Sequence, residues 1–428
     1  MSAQTPWQQS LRYANRANPY PFYEEMRKTP VSRQPDGSYV VSTYREAVAL
    51  LHDPRVSSDP RVRHGAAVPY SGQAYSPATP QLIGMITSDP PDHDCLRHLA
   101  MWHFGPPHTP DLVSNLEDEI LHIATSLLDN LQGKSRIDIV DDFAFPLPVT
   151  VICEVLGVPQ QDMPRVHALI EDVLNGIDLG PEGNSPEQQR LAGVGYRSRA
   201  ELDRYMGALL DNYAHHPGEG VLSAIVNHQA SDERMSQSEL VENALLLLFA
   251  GHETTVNLIA HSVLIMLRHP EVLDQLRRRP ELIIPAIEEF VRLESSVQFW
   301  PTRTALADIE IAGTVIPKGS PIVVVYGSAN RDPDRFTNPD EVDLEREDNQ
   351  HLGFSTGIHY CFGGPLARLE AQVALTEFIS RVENPRLVVD PPPYRHSQIF
   401  RGPLHLLVDV DAVRSHASPP ARPLSAAA

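Results

Sequence analysis

From about Ser236 to Arg268 apolar residues recur at helical spacing without a break. The pattern stops at His269-Pro270, because the residue before a proline is steered out of the helical region. A helix of that span is roughly 45–50 Å long at ~1.5 Å per residue, enough to cross a whole domain. Its middle, Ala244 to Gly251 (ALLLLFAG), is apolar on nearly all sides and must therefore be buried on nearly all sides. The rest of the chain has to wrap this rod. The same stretch is the longest apolar run, at about eight residues, and falls far short of the ~18 that span a bilayer.

Further helices are expected where Leu112, Leu116, Ile120, Ile123, Leu127 and Leu131 recur at three- and four-residue spacing, from Pro285 through AIEEFVRLE, and from about Pro365 to Arg381. Strand-like segments are fewer: Ile309–Ala312, and Pro321–Tyr326 with its run IVVVY. Arg61–Thr79 and Asn175–Gly195 are rich in Gly, Pro, Ser and Gln and read as long loops, the kind that serve as binding loops or lids. The fold class is thus mainly α (α+β), a helical protein with a small β-rich region. No linker or repeat divides residues 1–414, which read as one domain, and 415–428 read as a disordered tail.

Hydrophobic residues at 42% supply apolar mass for a large core. With 35 Lys+Arg against 55 Asp+Glu the formal charge is −20, which argues against nucleic acid or an anionic membrane as the main partner. Three scattered cysteines, Cys95, Cys153 and Cys361, cannot form a disulfide framework. MSAQTPWQQS shows no basic segment followed by an apolar one, so no signal peptide is visible. A soluble protein of the reducing cytoplasm is expected.

Cys361 differs from the other two. It stands among Gly353, Gly357, Gly363 and Gly364, just before a helix, where close backbone N–H groups and a helix N-terminus favour thiolate over thiol. A metal ligand or a nucleophile needs that. Cys95 and Cys153, inside amphipathic helical patterns, read as small buried hydrophobes. In the long helix, Ala250-Gly251-His252-Glu253-Thr254-Thr255 interrupts an apolar run with residues poor for a buried helix interior. A threonine back-bonding to the i−4 carbonyl would explain it as a structural bend. Glu289 and Arg292, three apart, share a helix face, as do His93 and Arg97, four apart behind Asp89-Pro-Pro, where Asp89 suits an N-cap.

Taken together, Phe354-Ser355-Thr356-Gly357-Ile358-His359-Tyr360-Cys361-Phe362-Gly363 resembles the haem-binding loop of the cytochrome P450 superfamily, with Leu366-Ala367-Arg368 matching its bacterial form. The family often has glycine where Ser355 stands. The AGHETT stretch is similar to the family's oxygen-binding groove, and Arg303 in PTRTALADIEIAGTVIPKGS to its propionate-binding arginine. The resemblance implies a P450 fold, with haem b between the long helix and the cysteine-loop helix and Cys361 as the iron's axial ligand. Phe354 and Gly363 would pack beside the sulfur, and His93, Arg97, Arg303 and His359 would take the propionates. Ala250 and Gly251 would leave room for dioxygen. Thr254 would hydrogen-bond it, and Glu253 would relay protons through water. Glu289 and Arg292 would be a buried pair bracing the loop from behind.

Leu246, Ala250, Val297, Phe299, Trp300 and Phe400 would line the pocket for a hydrophobic small molecule, with Phe299 narrowing it. The implied reaction inserts one atom of O2 into that molecule. Electrons would come from NAD(P)H through a ferredoxin and its reductase, since this chain carries no flavin or iron–sulfur motif. A monomer is expected. Other readings stay open at this point. A peroxide-driven enzyme or a haem sensor would not need the acid–threonine pair. A serine hydrolase could use Gly353-Phe354-Ser355-Thr356-Gly357 as G-x-S-x-G, though its elbow needs a strand directly before the serine and a helix directly after.

Overall fold

The computed structural model describes residues 4–62, 84–104, 109, 111–176, 186–228 and 235–416. Parts of both long loops expected from composition, and most of the expected tail, lie outside them.

The central rod is a helix from Gln237 to Arg268, set by a capping box in which Ser236 Oγ accepts from Glu239 N–H and the Glu239 carboxylate accepts from Ser236 N–H. Around it lie α1 (Pro6–Ser10), α2 (Tyr20–Arg27), α3 (Tyr44–Leu51), α4 (Asp92–Trp102), α5 (Glu117–Asp129), α6 (Pro146–Leu156), α7 (Met163–Gly176), α8 (Pro186–His215) and α9 (Val221–Val226). The rod itself is α10. It is followed by α11 (Pro270–Arg278), α12 (Ile283–Leu293), α13 (Tyr326–Ala329) and α14 (Gly364–Arg381). A large apolar core is shared by α5, α6, α7, α10, α12 and α14. Among the described residues, no helix is long and apolar enough to cross a membrane.

The β component is a five-stranded sheet in the order β1 (Val31–Arg33), β2 (Tyr39–Val41), β8 (Pro321–Val324), β5 (Trp300–Ala305) and β3 (Val56–Ser57). Strand β2 runs parallel to β8, the other pairs antiparallel. Strands β6 (Ile309–Ile311) and β7 (Thr314–Ile316) form a hairpin. β4 (Arg136–Asp138) joins β11 (Leu407–Asp409), which pairs on its other side with β10 (Arg386–Leu387); β9 (Val382–Glu383) pairs with β12 (Ala412–Val413).

Several expectations are adjusted. Residues 186–195, read as loop, are the first turns of α8. Pro285 is the third residue of α12, not its first. Tyr326 leaves the strand and opens α13, because its neighbours turn back over α2 and α3. Asp89 does not cap α4. Its carboxylate accepts from Ser58 N–H at 2.7 Å and from the Ser57 hydroxyl, tying the start of α4 to the end of the sheet.

Candidate active site

Cys361 sits just before α14, at the end of a loop that docks on α3. Gly357 makes the docking possible: its φ is +76°, and a Cβ there would lie 2.3 Å from Leu51 carbonyl oxygen. Cys361 N–H donates to Phe354 O at 3.0 Å, folding the loop back on itself. Phe354 in turn lies under the Arg368 guanidinium, 4.2 Å from the ring centre. Burial pushes the Cys361 thiol above its ordinary pKa; the N–H groups of Gly363 and Gly364 and the charges of Arg97 and Arg368 oppose burial without cancelling it. The N–H groups of the glycine cradle thus favour thiolate, as expected, but burial outweighs them. A cation facing the sulfur would complete the effect.

Basic side chains gather beside this loop from three elements. His93 and Arg97 come from one face of α4, Arg303 from β5, and His359 from the loop itself. The His93 and His359 rings meet edge to face at 4.6 Å, and His359 Nε2 shares a 2.7 Å hydrogen bond with Ser58 Oγ. Arg97 Nη2 donates to Tyr360 O at 2.6 Å. His93 Nε2 is buried with no hydrogen-bond partner in the protein. Burial, then the charges of Arg303, His93 and Arg97, push the His359 imidazole down to about 2. Burial also lowers the Arg303 guanidinium. Two guanidiniums and two imidazoles gathered so closely, all hydrogen-bond donors, form a seat for an anionic group.

Above lies α10. From Thr255 to Met266 every residue is buried, yet Ala250 is exposed and Leu246 and Thr254 are half-buried. At i, i+4 and i+8 these three form one stripe, so a helix otherwise wrapped by the fold keeps one accessible edge. Ser296 Oγ donates to Thr254 O at 2.8 Å and brings Val297 alongside. Val297 is bridged to Phe400, and both are half-buried, as is Trp300. Thr254 Oγ1 donates to Ala250 O at 2.8 Å, the back-bond of a helix-bending threonine.

Two expected site residues lie elsewhere. Phe299 is 1% exposed and packs edge-on to Trp7 at 4.8 Å, in a core with Leu11, Tyr23, Met26, Val40, Val323 and Val325. It is taken up by that core, whereas Val297 packs on a different apolar cluster, so Phe299 does not narrow the pocket. Gly251 faces α6: a Cβ there would lie 2.7 Å from Ile152 Cδ1, so the missing side chain accommodates a helix rather than dioxygen.

Behind the loop, Glu289 and Arg292 are both fully buried and paired in parallel at 2.8 Å through Nε and Nη2. Arg292 also donates to the carbonyls of Asn330, Pro339 and Glu341, and Arg346 joins Glu289. Sequence reasoning missed the neighbouring Glu288, which Arg368 and His351 hold and whose carboxyl stays at about 2. It also missed Asn257 and Arg395, which contact Glu253. Only Asn257, at i+4 from Glu253, had a local signal. Ser355, in the loop, adopts φ +59°, a conformation that favours glycine. No strand precedes it and no α-helix opens before Gly364, so the hydrolase elbow is not formed. A cavity of about 560 Å³ lined by Leu276, Ile283, Ile379 and Arg414 lies at the far, C-terminal end of α14 and plays no part here.

A family model described as cytochrome P450 matches residues 209–407. Among curated proteins, cytochrome P450 107B1 of Saccharopolyspora erythraea is 36% identical over 389 residues, covering 89% of this chain and 92% of that one. Vitamin D(3) 25-hydroxylase of Pseudonocardia autotrophica is 36% identical over 394 residues, 90% of this chain and 92% of that one. Among solved structures, P450BioI in complex with a hexadecenoic acid-ligated acyl carrier protein superposes with a TM-score of 0.82 at 33% identity, covering 93% and 99% of the two chains. CYP109E1 of Bacillus megaterium with testosterone gives 0.81 at 29% identity over 94% and 100%.

Proposed function

The chain belongs to the cytochrome P450 family of monooxygenases, and from that premise we propose that it oxygenates a hydrophobic natural product, with electrons from NAD(P)H delivered by a ferredoxin and its reductase. Haem, which the family uses, supplies the O2-activating chemistry when bound. The residues present fit it. A half-buried thiol among backbone N–H groups and two arginines would take a cation. A buried imidazole nitrogen, His93 Nε2, together with the guanidiniums of Arg97 and Arg303 and the His359 ring would take carboxylates. Cys361 would hold the iron, and His93, Arg97, Arg303 and His359 the propionates. The observation that carries the reading is this convergence from α4, β5 and the loop on one side of Cys361.

The chain's own residues have separable tasks. The stripe Leu246, Ala250, Thr254 with Val297, Trp300 and Phe400 is apolar except for the Thr254 hydroxyl and the Trp300 indole N–H, which suits a hydrophobic substrate. Thr254 can release its back-bond to Ala250 and turn its hydroxyl into that space. Glu253, buried behind it, is the proton-bearing group. The hydrophobic class also accords with a vitamin D hydroxylase and a testosterone complex among the similar proteins. One domain, acting as a monomer in the cytoplasm, is the arrangement we favour.

The test is spectroscopic. Haem-loaded protein, reduced and exposed to CO, should show the far-red-shifted Soret band of thiolate ligation. Cys361→Ser should abolish it, while Cys95→Ser and Cys153→Ser retain it. Persistence of the band in Cys361→Ser would sink the assignment.

A further inference from the structure

One buried polar cluster lies outside the seat around Cys361. Glu253 Oε1 accepts from Asn257 Nδ2 at 3.1 Å, and Arg395 Nε stands 3.5 Å from the same oxygen, an ion-pair distance rather than a hydrogen bond. Glu253 is 3% and Arg395 11% exposed at the side chain. Glu253 Oε2, Asn257 Oδ1, Arg395 Nε and both ring nitrogens of the neighbouring His252 are buried without a hydrogen-bond partner in the protein. Buried polar atoms are satisfied by protein or by ordered water. So many around one guanidinium mark a hydrated seam against an otherwise apolar helix.

The seam leads outward. The turn Val140–Ala144, which carries Asp141, packs against α10, and the charge of Arg395 acts on Glu253, on His252 and on Asp141. Asp141 is 59% exposed at its side chain and lies 3.2 Å from His405, which takes Asp138 at 2.9 Å. A glycine explains why Arg395 can reach in. Arg395 N–H donates to Gly402 O at 3.0 Å, and a Cβ on Gly402 would lie 1.8 Å from Asn257 Oδ1. The segment therefore rests directly on α10, one turn past Glu253.

We propose that Arg395 is the positioning residue for the Glu253 carboxyl, and that protons reach Glu253 from solvent by way of Asp141 and His405. The proposal rests on the monooxygenase reading and adds the side from which the acid is recharged. Arg395 keeps its own proton throughout. Each cycle moves one proton from solvent, through the Asp141 and His405 edge, onto the Glu253 oxygen that gave one up, with no electron transferred. Arg395 holds that oxygen and the hydrogen-bonding groups along the seam in register. The other titratable group beside the carboxyl is His252, with His167 behind it.

Infrared difference spectra, with Glu253→Gln as the subtraction, report the Glu253 carboxyl in the full-length protein and need no turnover. Removing an opposite charge at this distance shifts a carboxyl titration by ~1–3 pH units. Arg395→Gln should therefore move the Glu253 midpoint up by about that much, and Arg395→Lys should restore it. In turnover with a surrogate ferredoxin and reductase, Arg395→Gln and Asp141→Asn should each slow product formation by ~10-fold to 10²-fold, at the low end for proton-transfer groups. Both should raise the solvent isotope effect while leaving the ferrous–CO band intact. Asp141→Asn changes an exposed side chain, so it carries the test even where Arg395→Gln fails to fold. An unmoved Glu253 midpoint in Arg395→Gln overturns the positioning role, and wild-type rate and isotope effect in Asp141→Asn overturn the route. Wild-type protein lacking the ferrous–CO band defeats the monooxygenase reading instead, and the infrared measurement still decides the Arg395 contact.

Discussion

A buried carboxyl with no charge partner behaves differently from Glu289 or Glu288, and Glu370 on α14 is that case. It is 1% exposed, its Oε2 has no hydrogen-bond partner in the protein, and burial alone holds its pKa well above the ordinary value. Such a group binds its proton more tightly folded than unfolded. Its contribution is intact below the unfolded pKa and is lost as pH rises through the folded one. Glu370→Gln keeps the shape and cannot ionise. It should match wild type at about pH 4 and exceed it increasingly toward about pH 8, by roughly 1–3 kcal/mol. Denaturant unfolding at a series of pH values measures the difference; a pH-independent gap would mean that Glu370 is not the titrating group. The same reasoning separates the cysteines. Burial pushes Cys153 to about 12, so it is an inert core thiol, whereas backbone N–H groups and two arginines counter burial at Cys361.

Between elements, one tight seam is where α10 crosses α6. Gly251→Val should drive a side chain into Ile152 and cost about 1–3 kcal/mol, as overpacking does. In an Ile152→Ala background the same change should cost much less. A double-mutant cycle by thermal denaturation reads this coupling, and additive effects would place Gly251 away from that contact. At this scale it becomes clear what the sequence could disclose. Helix α10 was legible because its apolar run and its stop before Pro270 are both local. Spacing placed Glu289 and Arg292 on one helix face, but their burial as a pair, like the basic seat beside Cys361, was legible only through family resemblance. Strands β1, β2 and β3 were not, since two- and three-residue strands carry little periodicity and their partners lie far along the chain. The direction of Phe299 depended on Trp7, and the reach of Arg395 on Gly402, neither of which leaves a local signature.

For the molecule as a whole, the tie that matters most is a knot at Arg401. The side chain is fully buried, pairs with Glu294, donates to the carbonyls of Arg16 and Ala17 at 2.8 Å, and to Tyr394 Oη at 3.2 Å. Glu294 also accepts from Tyr20 Oη at 2.7 Å. Arg401→Met leaves Glu294 with Arg331 at 3.5 Å as its remaining ion pair and should cost about 3–5 kcal/mol. Because the knot joins three distant stretches, the urea midpoint should fall with little change in slope. A second, shallower transition would show that the N-terminal segment melts separately. The same arrangement sets a timetable for synthesis. Trp7 waits for Phe299, Arg16 for Arg401, and strand β4 for Leu407–Asp409, so early segments leave the ribosome without partners. Adding 428 residues at ~5–20 per second takes roughly 20–90 s. For most of that interval β4 is an unpaired edge, the kind of exposed strand that chaperones shield during translation.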